Sequence, residues 1–213
     1  MEGLSVNYDK LKEALRRNEF AMSCFENKEA AAAYLDREID GVTVGLGDSA
    51  TLLDMGLYDL LKSHNTVYDP AHAGEGRTFS QEAMRCFDTE VFLTSVNAVS
   101  ETGELVNIDG TGNRVAASLF GHKRVYFVVG VNKIEPTLEK AIWRARNIAA
   151  PQNAKRLQKG TPCSIKGDRC YNCAHPGRIC NSLVVYWNAM NSMEDSMKCT
   201  RTEVVLIGES LGL

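Results

Sequence analysis

Three short segments of this chain combine glycine turns with side chains able to hold an anion: GLGDSAT at 45–51, IDGTGNR at 108–114 and GVNKI at 130–134. In the first, Gly47, Asp48, Ser49 and Thr51 follow the apolar run VTVGL and stand where a strand hands over to a helix. Free backbone amides and two hydroxyls at such a junction suit a phosphate or a carboxylate. The plainer reading is that Ser49 caps the helix and the glycines make the turn. In the second segment, Gly112, Asn113 and Arg114 present amides and a guanidinium, with Asp109 nearby as a general base or hydroxyl acceptor. The alternative is an Asx turn leading into a capped helix. In the third, Lys133 follows an apolar strand and can neutralise a carboxylate or polarise a carbonyl.

Asn97 belongs with this group. It lies just past the strand EVFLTS, beside Ser95, at the start of the polar stretch 94–114, and offers an orienting or oxyanion contact. In the same stretch Glu101 and Glu104 flank Gly103 and read as a solvated hairpin tip.

A fourth constellation is C-x6-C-x2-C-x6-C, formed by Cys163, Cys170, Cys173 and Cys180. The central C-x-x-C is the bite that a tetrahedral metal accepts, and the outer pair can complete a thiolate set for zinc or an iron–sulfur cluster. Its spacing matches neither a zinc ribbon nor a ferredoxin run. A redox dithiol at Cys170 and Cys173 is the rival, and packed thiols are the plain alternative. Cys24, Cys86 and Cys199 sit in or beside apolar patterns and read as small hydrophobes. His72 and His175 read as solvated.

The elements that position these residues alternate. Helical spacing joins Tyr8, Leu11 and Leu15, then Ala31, Tyr34 and Leu35, with FAMSCF between them as a strand. VTVGLG, Thr66 to Tyr68, EVFLTS and RVYFVVG follow as strands separated by helical pieces. Leu138, Ala141, Ile142, Ala145, Ile148 and Ala149 form one more helix, which Pro151 is expected to end. LVVYW and VVLIG read as closing strands of the same domain. The expectation is therefore a single α/β domain over 1–213, with a mainly parallel open sheet, helices on both faces and a small cysteine-rich segment at 160–181. In such sheets ligands bind beyond the carboxyl ends of the strands, which gathers the three loops at one edge.

Composition narrows the partners. The chain has 213 residues, 44% of them hydrophobic, and a formal charge of −3. That charge gives no general attraction to nucleic acid or to an anionic membrane, which leaves small anionic metabolites and proteins. No long apolar run and no signal-peptide pattern is present, so the expected location is the cytoplasm. Seven cysteines, an odd count, fit a reducing compartment better than a disulfide framework. The glycine turns lack the lysine of a P-loop and the full dinucleotide fingerprint, so no nucleotide cofactor is expected.

GLGDSATL, FLTSVNAVSETGELVNIDGTGNRVA, VYFVVGVNKI, IAAPQNAKRL and VVLIGESLGL, in this order, resemble the LUD domain family of bacterial lactate-utilisation proteins. The resemblance implies the fold shared by ribose-5-phosphate isomerase, glucosamine-6-phosphate deaminase and CoA transferases. In that fold the loop matching GLGDSAT meets substrate phosphate, and the one matching VNIDGTGN lies at the active site. It further implies a role in lactate utilisation or related redox metabolism, with iron–sulfur proteins of a lactate oxidation system as partners. NAVSETGELVNIDGTG is also similar to the active-site stretch of methylthioribose-1-phosphate isomerase, whose catalytic aspartate falls at Asn97. An amide takes no proton as a carboxylate does. Three functions thus stay open: binding of a small anionic metabolite, an organic acid or a phosphorylated compound, with or without turnover; a non-enzymatic accessory or sensor subunit with a structural metal; and a phosphosugar isomerase-like or CoA-dependent enzyme.

Overall fold

The computed structural model of the chain describes residues 8–190 and 201–213. Its main sheet has six strands, all parallel: β1 (Ala21–Phe25), β2 (Thr43–Leu46), β3 (Thr66–Tyr68), β4 (Val91–Thr94), β7 (Arg124–Gly130) and β10 (Arg201–Ile207). They lie in the order β1-β10-β7-β4-β2-β3. A second sheet, in the order β8-β5-β6-β9, contains β5 (Ala98–Ser100), β6 (Leu105–Asp109), β8 (Ile134–Glu135) and β9 (Ser182–Tyr186). There β6 pairs antiparallel with both β5 and β9.

The strands of the main sheet are apolar on both faces because both faces are covered. Alternate residues enter two cores. Phe92, Val125, Phe127, Val129, Val204 and Leu206 pack with Leu11 and Leu15 of helix α1 (Tyr8–Arg17), with Ala117 of α6 (Asn113–Leu119) and with the second sheet. Val44, Leu46, Val91, Leu93, Tyr126, Val128, Val205 and Ile207 pack with Ala31 and Leu35 of α2 (Lys28–Glu38), Leu52 of α3 (Ala50–Asp54), and Leu57 and Leu61 of α4 (Leu57–Lys62). Val204 to Ile207 are each almost fully buried, which contributes about 1.5–3 kcal/mol per side chain. Helix α5 (Phe79–Arg85), opened by a capping box between Thr78 and Gln81, precedes β4. The outer face of the second sheet, through Ala98, Val106 and Ile108, packs on Ala141 of α7 (Leu138–Arg144), on Ala145 and on Ala150.

LVVYW falls in β9, antiparallel beside β6 in the second sheet, and VVLIG in β10 of the main sheet. The α/β class and the parallel main sheet are as expected, and three local expectations change. Pro151 ends no helix. Ala145–Ala149 widen into a π turn, and α8 (Ala150–Arg156) begins there with Pro151 in its first turn, where a missing N–H costs no hydrogen bond. The hairpin tip at Gly103 is not solvated, because it packs against α1, and Asn18 Nδ2 donates to the Gly103 carbonyl at 3.1 Å. Cys24 is exposed on the edge strand β1 rather than packed. Cys86 is buried as expected, while Cys199 lies outside the described residues.

Candidate functional site

β2, β4 and β7 are neighbours in the sheet, so the loops after them must meet at its carboxyl edge. The loop after β2 carries Asp48, Ser49 and Thr51; the one after β4 carries Ser95 and Asn97; the one after β7 carries Lys133. These six residues line one narrow cleft with Arg114, Asn153 and Arg156. Lys133 is its centre. Its Nζ, only 3% exposed at the residue level, donates to Thr51 Oγ1 at 2.8 Å and to Ser95 Oγ at 2.9 Å. Burial, helped by the Arg144 and Arg114 charges and opposed by the weaker pull of Asp54, pushes the ammonium down to about 7. No aspartate or glutamate side chain among the described residues forms an ion pair with it.

The cleft opens into a chamber of about 400 Å³ lined by Asp48, Asn97, Asp109, Asn113 and Arg114 on one side and by Asn153, Lys159 and Arg178 on the other. Asn97 uses its Oδ1 to accept from the Ile108 amide at 2.6 Å, so its NH2 group is what it has to offer a ligand. Asp109 is nearly fully buried. Its Oδ1 accepts from the Thr111 amide at 3.2 Å and its Oδ2 from the Val115 amide at 3.1 Å, which ties the Gly-rich turn to the first turn of α6. Arg114 donates to the Ile108 carbonyl at 2.8 Å. Gly112 stands at the helix entrance with a φ of 85° that favours glycine, and it lines neither the cleft nor the chamber.

Ser49 occupies the N-cap position of α3, yet its side chain accepts no capping hydrogen bond. Gly47 is required by packing: a Cβ there would stand 2.7 Å from Thr94 Oγ1. Asp48 next to it adopts a φ of 40°, a left-handed conformation that L residues rarely hold outside turns and functional loops.

Residues 8–190 match the family model described as the LUD domain. The chain belongs to the LUD domain family. The crystal structure of a DUF162 family protein from Deinococcus radiodurans is similar in fold, with a TM-score of 0.52 at 13% identity over 94% of this chain and 95% of that one. No curated protein matches.

In this LUD domain the cleft also holds groups that sequence reasoning missed. Arg144 on α7 is buried and donates to the carbonyls of Asn132 at 3.0 Å and Asn97 at 2.6 Å, bracing both loops. Asn153 and Arg156 on α8 close the far wall. The basic run NAKRLQK was the available signal, but only the continuation of the helix past Pro151 aims it at the cleft.

The four cysteines of the LUD domain line a separate cavity of about 260 Å³. All four are free and partly buried. Among the described residues, no three His, Cys, Asp or Glu side chains are gathered as a single-ion site. His72 pairs with Asp69 at 2.7 Å and stacks on Tyr58, and His175 Nδ1 accepts from the Gly177 amide; neither belongs to a catalytic grouping. No helix of the described residues is long and apolar enough to cross a membrane.

Proposed function

We propose that this LUD domain binds a small organic anion, a carboxylate or phosphorylated metabolite. Its charged group lies against Lys133, and the remainder occupies the 400 Å³ chamber. The observation that carries this reading is the buried Lys133, held by two hydroxyls and no carboxylate side chain. Removing an ammonium from water without a counter-charge costs several kcal/mol, and an anion arriving in the cleft offsets that cost. Arg114 supplies a second cation, the Asn97 NH2 group a neutral donor, and Ser49 and Asn113 further polar contacts. Asp48 and Gly47 shape the loop that admits the ligand.

A short hydroxy or keto acid such as lactate or pyruvate suits these groups, in keeping with a role in lactate utilisation. Its carboxylate pairs with Lys133, and its oxygen substituent meets Asn97 and Arg114. Calorimetric titration with lactate, pyruvate and inorganic phosphate tests the reading. Binding of at least one, markedly weakened in Lys133→Met, is expected; no heat from any of the three would overturn it.

A second reading follows from Asp109. Both of its oxygens already accept from backbone amides, so proton abstraction by Asp109 requires the α6 entrance to loosen. Binding without turnover therefore suits an accessory subunit that holds the anion for a partner, such as an iron–sulfur protein of a lactate oxidation system. Turnover of the bound acid by the isolated chain would remove this reading. Isomerase chemistry is the weaker fit, because the position that needs an acid carries Asn97.

A further inference from the structure

The segment from Gly167 to Asn181 runs for fifteen residues with no helix or strand and no apolar cluster of its own. So long an irregular stretch inside a compact domain needs something to hold it. Hydrogen bonds anchor its ends. The Gly167 amide donates to the Cys163 carbonyl at 2.8 Å, and Asn181 donates through its backbone to Asp109 and through its side chain to Gly110. What the middle of the loop has in common is one cavity, onto which Cys163, Cys170, Cys173 and Cys180 all open.

The loop around the central pair is shaped to receive charge on sulfur. Asn172, between the two cysteines of C-x-x-C, takes a φ of 47°, and its amide turns back to donate to Cys170 Sγ at 3.3 Å. The Thr161 hydroxyl lies 3.2 Å from Cys163 Sγ. Hydrogen bonds to sulfur stabilise the thiolate over the thiol and tune a metal bound to it. Arg146 holds the turn by donating to Asn172 Oδ1 at 2.7 Å, and Arg146 and Arg178 both line the cavity. Two guanidiniums suit a site that carries net negative charge once four thiolates are present. Ile108, Ala150, Pro151, Ala154 and Leu183 give it apolar walls, beside polar Asn181 and Ser182.

Size distinguishes the possible occupants. A tetrahedral zinc, with Zn–S bonds of about 2.3 Å, draws its four sulfurs to within about 4 Å of one another. These thiols are not gathered in that way; they surround a space of about 260 Å³. We infer that Cys163, Cys170, Cys173 and Cys180 are the four ligands of an iron–sulfur cluster seated in this cavity. Each thiol gives up its proton to solvent as its sulfur bonds to iron, and the cluster either arrives preassembled from a donor whose thiolate ligands it exchanges or forms from ferric and ferrous iron with sulfide, so that no electron is gained or lost on assembly. The inference is independent of the anion reading, although the two cavities share Ile108, Ala150, Arg178 and Ile179 as a common wall.

The test is composition. The full chain is purified anaerobically, or reconstituted with ferric and ferrous iron and sulfide, and its iron, zinc and acid-labile sulfide are measured beside its visible spectrum. Iron and sulfide are expected in equal amounts, on the order of two to four of each per chain, with a broad charge-transfer absorption. Cys170→Ser and Cys180→Ser should each lower both by more than about half while circular dichroism keeps the α/β signature, and Cys24→Ser should change neither. One equivalent of zinc without sulfide, a Cys170–Cys173 disulfide by mass, or no iron uptake by protein with intact thiols would each overturn the cluster. So would iron and sulfide contents that the Cys170 and Cys180 variants leave unchanged.

Discussion

Lys133 and Thr51 belong to loops 82 residues apart in sequence, yet Lys133 Nζ donates to Thr51 Oγ1 at 2.8 Å, out of reach of bulk water. The contact exists because β2 and β7 flank β4, so the residues after the outer two strands close over the residues after the middle one. Ser95 completes the triangle, with its own hydroxyl 3.3 Å from that of Thr51.

Replacing Lys133 by Met should weaken anion binding while leaving the fold intact. A charge-assisted hydrogen bond contributes about 1.5–3 kcal/mol, so affinity should fall about 10- to 100-fold by calorimetry. Unchanged affinity would move the binding site away from the cleft.

Anion affinity should depend on pH through the same group. Lys133 is held near 7, so it is protonated below that pH and loses its charge as pH rises through it. Above about pH 7, affinity for a permanently charged carboxylate should therefore drop by up to about tenfold per pH unit. Stability moves the opposite way. Between about 7 and the ordinary lysine value of 10.5 the unfolded chain binds a proton that the folded chain does not, so stability should rise with pH across that window. Urea titrations of wild type and Lys133→Met, compared across this range, isolate the contribution.

Asp109→Asn should behave first as a stability variant. An amide has one acceptor oxygen where the carboxylate has two, so either the Thr111 or the Val115 amide loses its partner. A loss of about 1–2 kcal/mol in chemical denaturation is expected. Full stability with lost turnover would instead identify Asp109 as a base.

Gly47→Ala should destabilise the chain by about 1–3 kcal/mol, because the added methyl meets Thr94 and Phe92 in a packed strand interior. A thermal melt of that variant matching wild type would show that the β2 turn can shift.

His64 is set between Asp36 and Asp40, each 2.8 Å away, and both carboxylates raise its affinity for a proton. Its contribution to stability should be fully present below the unfolded-state value near 6.5 and be lost as pH rises through the raised folded value. Melting temperatures of His64→Asn should fall less than those of wild type as pH rises from about 6.5 through the raised value.

Much of this was legible in the residues. VTVGLG, EVFLTS and RVYFVVG are apolar through and through because they are buried on two faces, and their order placed Ser49, Asn97 and Lys133 at one edge. Other features depend on partners distant in sequence. SLVVY has the composition of a main-sheet strand, and only its pairing with β6 assigns it elsewhere. Pro151 carries the same local signal whether it stops a helix or starts one, so the π turn before it was not readable. Neither was Arg144, whose helical spacing alone cannot distinguish solvent from the carbonyls of Asn97 and Asn132.

The placement of β10 between β1 and β7 bears on how the chain acquires its shape. On an elongating ribosome, β1 and β7 are made before β10, and neither has its partner across that gap until residues 201–207 are available. Closure of the long loop between β1 and β10 makes this a late and slow step. Until then two strand edges stand open, which makes the chain without β10 in place the species most exposed to mispairing and most in need of a chaperone.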